Sequence, residues 1–101
     1  MALRPKHIPR LSRELNPGQV KDLGKENFIR VGVKPQYSTQ VSIDEMRTWI
    51  NQYCGDPFSC SRNYVAYKNV TPQQHSEGYV FYFSTKEDYL IFRIEFSERL
   101  L

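Results

Sequence analysis

Apolar residues return at two different periods along this chain, and each period marks a different kind of element. In Asn27–Val33, Ile29, Val31 and Val33 alternate with other residues, and their β-branched side chains suit a pleated strand. The polar stretch Lys34–Gln40 leads into the best-marked helix. Ser42 stands as its expected cap, with Glu45 three residues on to close a capping box and Val41 and Met46 at hydrophobic-staple spacing. Met46, Trp49, Ile50 and Tyr53 then fall at i, i+3, i+4 and i+7, which lines one helix face with apolar groups. The helix is expected to end near Cys54-Gly55, because Pro57 prevents continuation.

Two aromatic and β-branched runs, Asn63–Lys68 and Gly78–Phe83, read as strands. The polar segment Asn69–Glu77 between them suits a long hairpin connection, so antiparallel pairing is expected. Ser84-Thr85-Lys86-Glu87 repeats the capping signature, and Tyr89, Leu90, Phe92 and Phe96 supply an apolar face for a second helix. Ile91–Phe96 also alternates in part, so a short terminal strand remains open as the alternative. The order strand, helix, strand, strand, helix fits an α+β fold of the ferredoxin-like, split βαβ kind: an antiparallel sheet with both helices on one face.

Residues 1–24 lack an apolar period, and Pro5, Pro9, Pro17 and Gly18 interrupt regular structure. They read as an extended arm, with residues 25–101 as a single domain. The arm changes how the modest net charge of +3 is understood. Residues 1–34 carry eight basic against three acidic side chains, and residues 35–101 carry six against eight. Arg4, Lys6, Arg10 and Arg13 are therefore the candidate contacts to a partner or to phosphates, with Ile8 and Leu11 between them to dock on a protein groove or a neighbouring subunit.

With 101 residues, 40% of them hydrophobic and 14% aromatic, the chain has the make-up of one folded domain. No apolar run approaches the roughly 20 residues of a membrane span, so a soluble protein without a membrane role is expected. Cys54 and Cys60 are too few for a disulfide framework, which suggests a reducing, cytoplasmic setting. They also lack the spacing and companion ligands of a zinc site, and His7 and His75 lie far apart, so neither metal nor cofactor is expected. His75, Asp56, Glu87 and Asp88 are the acid–base candidates, but helix capping and the helix dipole account for the last two, and no glycine-rich phosphate loop or nucleophile elbow is present. Binding rather than catalysis is the expected activity.

Glu77-Gly78-Tyr79-Val80-Phe81-Tyr82-Phe83-Ser84, with the helix after it, resembles the third strand of RNA-recognition domains. That resemblance implies stacking of unpaired bases on Tyr79 and Phe81, with Tyr64 and Tyr67 as neighbours. The run Tyr79–Phe92 is also similar to the ends of small proteins of tailed bacteriophages: an aromatic strand, an acidic helix start and a phenylalanine on the helix. This implies a viral accessory or virion protein, in the host cytoplasm or the particle, without catalytic residues. The leading expectation is a protein-binding accessory protein serving particle assembly or inhibition of a host factor. The alternative is a single-stranded nucleic-acid binder that uses the sheet aromatics and the arm. Homodimerisation by strand addition would follow from an exposed sheet edge.

Overall fold

A computed structural model describes residues 14–65 and 76–101. Its elements run β1 (Glu14–Leu15), α1 (Pro17–Leu23), β2 (Ile29–Gly32), α2 (Gln40–Tyr53), β3 (Phe58–Val65), β4 (Ser76–Phe83) and α3 (Lys86–Glu95). The fold is α+β, with one four-stranded sheet in the order β1-β3-β4-β2. β4 lies between β2 and β3 and is antiparallel to both, so the expected hairpin pairing is present. β1 adds on the far side of β3 in parallel, through Glu14 opposite Phe58 and Leu15 opposite Ser59. The sheet is therefore mixed rather than antiparallel throughout.

Alternation along β4 sorts the sheet into two faces. Phe81 and Phe83 point one way, with Val31, Phe58 and Cys60 beside them. Ile43, Met46, Ile50 and Cys54 of α2 and Phe92 of α3 close over this face to form the main core. Its centre is aromatic: Phe92 lies 5.0 Å from Phe81, 4.9 Å from Phe83 and 5.2 Å from Phe96 between ring centroids, and Trp49 meets Phe96 edge-on at 5.4 Å. Such tilted and edge-on pairs add about 0.5–1.5 kcal/mol each beyond the area they bury.

Val80 and Tyr82 point the other way and form a second cluster with Val20 of α1, flanked by Leu15 and Phe28. A third helix thus packs on the face that the sequence left uncovered. Its start was legible in part. Asn16 accepts from the Gln19 amide at 2.9 Å, and Gln19 Oε1 accepts from the Asn16 amide at 2.9 Å, a reciprocal capping box. Pro17 sits at the first helical position, where its missing N–H costs nothing. The proline read as a breaker is a helix starter, so residues 14–24 are strand and helix rather than extended arm.

Other boundaries shift for similar reasons. α2 is capped by Thr39, whose Oγ1 accepts from the Ser42 amide at 3.3 Å, so Ser42 is the third residue of the helix rather than its cap. Glu45 turns to Arg99 at 2.9 Å instead of closing a capping box, and Val41 stays exposed rather than stapling to Met46. The buried face is Ile43, Met46 and Ile50, with Tyr53 left outside against Trp49 at 5.2 Å. β3 begins at Phe58, five residues before the expected Asn63, because Phe58 and Cys60 alternate inward through a serine-rich stretch. Residues 91–95 are helical, and among the described residues the tail pairs through an isolated antiparallel bridge between Val33 and Leu100.

Candidate functional site

The N-terminal elements build a groove on the second face of the sheet. Its floor is Ser59, Ser61 and Tyr82, and its wall is Pro17, Gly18, Val20, Lys21 and Lys25. It holds about 330 Å³. The capping box fixes where α1 starts, Val20 fastens it to Val80 and Tyr82, and Gly24 turns the chain at φ +96° so that Lys25 returns along the same groove. The charged residues lining the groove are Lys21, Lys25 and Arg62, all basic; Asp22 and Glu26 are exposed on the same segment but do not line it. The Arg62 guanidinium stands 5.6 Å from the centre of the Tyr79 ring, on the opposite face. Arg30 pairs in register with Tyr82 and is exposed on the groove's face. Ser59 is fully buried, and among the buried side-chain polar atoms of the described residues its hydroxyl is the one without a hydrogen-bond partner.

A second surface lies on α3. Phe92 and Asp88 turn inward, while Leu90, Ile91 and Ile94 face outward at 43%, 41% and 76% exposure. The sequence placed Leu90 on the buried face. The inward arc is instead filled by Asp88, Phe92 and Phe96, with Tyr89 packed beside them, and Leu90 lies beyond its edge. Arg93 donates to the Leu101 carbonyl at 3.0 Å, which holds another exposed leucine against the same helix.

Two of the carboxylates offered by the sequence for acid–base work, Asp56 and Asp88, have structural partners. Asp88 accepts from the Asp56 amide at 3.1 Å, and the Thr85 hydroxyl donates to Asp56 at 3.1 Å while accepting from the Asp88 amide at 3.4 Å. Ser84 Oγ donates to the Pro57 carbonyl at 2.6 Å in the same clasp. Together these bonds fasten the α2–β3 loop to the start of α3. Arg47 bridges to Glu14 at 3.0 Å and ties β1 to α2. Cys54 and Cys60 are buried thiols of the main core, not joined in a disulfide, and burial pushes the Cys60 thiol up to about 12, with nearby Arg47 opposing. Among the described residues, no cluster of three His, Cys, Asp or Glu side chains could hold a metal ion.

Of the stacking platform expected from the sequence, Phe81 is not reachable. Phe81 is fully buried, 5.0 Å from Phe92, so the surface it would offer a base is already covered by α3. Tyr79 shares that face and is half-buried beside the main core. Tyr64 occupies a β3 position opposite Glu77. Tyr67, His7, His75 and the four basic arm residues Arg4, Lys6, Arg10 and Arg13 lie outside the described residues. Lys21, Lys25, Ser59 and Tyr82 were missed. The Asn16-Pro17-Gly18-Gln19 cap and the Ser59/Ser61 alternation were the signals that could have found them.

Fold and surfaces together define a small α+β protein with a mixed sheet that carries helices on both faces, a basic groove on one and an aliphatic helix stripe over the other. Comparison with protein-family models, curated proteins and solved structures finds no match. Among the described residues, no helix is long and apolar enough to cross a membrane.

Proposed function

We propose that this chain is a non-catalytic binding protein whose α3 docks on a partner protein. The observation that carries the reading is the outward stripe of Leu90, Ile91 and Ile94 on a helix whose opposite side is already committed to the core. Single exposed aliphatic residues are ordinary, but three on one helical face form a contiguous patch of the kind that partners cover. The helix is held by Phe92 and by the Asp56–Thr85–Asp88 clasp, so it presents the stripe rigidly and little ordering would be needed on binding. The basic arm, with Arg4, Lys6, Arg10 and Arg13, would add electrostatic steering to an acidic partner. The likeness of Tyr79–Phe92 to tailed-bacteriophage proteins suggests the context: assembly of a particle or inhibition of a host factor.

The run from β2 to α3 we read as a ferredoxin-like split βαβ unit. Supporting this, β2 and β3 are joined through α2 and flank β4, and the Val33–Leu100 bridge stands at the outer edge of β2, where the last strand of that arrangement would pair. β1 and α1 are then an addition to the unit. Stacking on Phe81 is disfavoured, since that ring lies beneath α3.

A variant carrying Leu90→Ser, Ile91→Ser and Ile94→Ser should keep its near-ultraviolet circular dichroism and lose the proteins that wild type captures from a host lysate. Sedimentation velocity of both forms separates a second copy of the chain from a foreign partner. Undiminished capture and unchanged association by the folded variant would remove α3 from the account.

A further inference from the structure

We infer that the groove between α1 and the sheet binds a phosphate group, as free phosphate or as a small phosphomonoester. Two independent observations meet there. The first is charge: Lys21 and Lys25 stand on one wall, Arg30 is exposed on the same face, and among the described residues no acidic side chain lines the groove. Two lysines four positions apart, both lining one depression, create a site for an anion with several acceptor oxygens.

The second is the Ser59 hydroxyl. It is fully buried on the floor of the groove and makes no hydrogen bond, although leaving a buried hydroxyl unpaired costs about 1–3 kcal/mol. An alanine at this position would spare the fold that cost. A ligand oxygen that accepts its proton would satisfy this hydroxyl, with Ser61 lining the groove two residues further along the strand. Ser59 and Ser61 belong to the same face of β3, and pairing with β4 puts Ser59 opposite Tyr82. The strand thus offers hydroxyls from below while α1 and the turn after it offer lysines from the side.

Size and lining set the ligand class. A volume of 330 Å³ falls at the small end of the roughly 300–1,000 Å³ common for organic-ligand sites. Pro17, Val20 and Tyr82 supply apolar wall beside the charged end. That combination fits a phosphate carried on a compact organic body.

The test is a two-dimensional amide NMR titration of the full chain with inorganic phosphate and, separately, phenyl phosphate, at ionic strength held constant with sodium chloride. Saturable shifts of the Ser59, Ser61 and Lys21 amides are expected with either probe. Tighter binding of phenyl phosphate marks an ester site, and equal binding marks a site for the free ion. Ser59→Ala should raise the melting temperature while weakening binding about tenfold or more, the loss expected for a hydrogen bond to a charged group. Lys21→Gln with Lys25→Gln should weaken binding further and flatten its salt dependence. Absence of saturation, or an affinity unchanged in the folded Ser59→Ala protein, would overturn the inference.

Discussion

Cys60 shows how burial alone can set the chemistry of a side chain. Its thiol lies under α2 and close to the Arg47–Glu14 bridge, yet burial outweighs the neighbouring guanidinium and holds its pKa at about 12 against an ordinary 9.0. The folded protein therefore keeps the proton that the unfolded chain releases between pH 9 and pH 12. Stability associated with this group is fully present below pH 9 and is lost as pH rises through that window. Urea midpoints measured from pH 7 to pH 11 should fall more steeply for wild type than for Cys60→Ala; parallel curves would contradict the assignment. The opposite sign holds at Glu45, where the hydrogen bond from Arg99 lowers the carboxyl below its usual range. Its contribution is present above the usual carboxylate range and is lost on acidification. Arg99 also donates to Ser42 at 3.3 Å and lies over the Tyr37 and Phe96 rings, so one guanidinium fastens the C-terminal turn to the start of α2.

At the level of elements, α1 depends on how it ends as much as on how it begins. Gly24 caps it with φ +96°, a conformation that side chains disfavour, and an added Cβ would stand 2.8 Å from a Glu26 carboxylate oxygen and 2.9 Å from the Asn27 amide nitrogen. Gly24→Ala should therefore cost about 1–2 kcal/mol in urea denaturation, and a neutral result would mean that the turn is not held in this form. The strongly periodic elements were legible in the sequence: α2, α3 and the β3–β4 pairing follow from apolar spacing. What was not legible has local causes. Asn16-Pro17-Gly18-Gln19 carries both breaker residues and a helix cap, and only the packing of Val20 on Val80 and Tyr82 decides between them. Thr39 and Ser42 are both competent caps, and the burial of Ile43 with Met46 and Ile50 selects the earlier one. Tyr79 and Phe81 belong to one face of β4 by alternation, but which face receives α2 and α3 is a tertiary fact. The sequence pattern places aromatics on a strand without saying whether a helix covers them.

For the whole molecule, the decisive feature is that helices lie on both faces of the sheet. α2 and α3 enclose the aromatic side, and α1 closes part of the other and turns the remainder into a basic groove. The outward stripe of α3 and the α1 groove lie over opposite faces, and each is set by the seating of its own helix. β1 contributes to this closure from two directions: Leu15 joins the Val20 cluster while Glu14 reaches Arg47 of α2. The most direct measurement is a carbon-edited nuclear Overhauser spectrum of the full chain in solution. The account predicts cross-peaks from the Val20 methyl groups to Val80 and to the Tyr82 ring. Their absence, with the Phe81–Phe92 cross-peaks present, would leave a folded sheet without α1 on its second face and would contradict the closed architecture on which the groove rests.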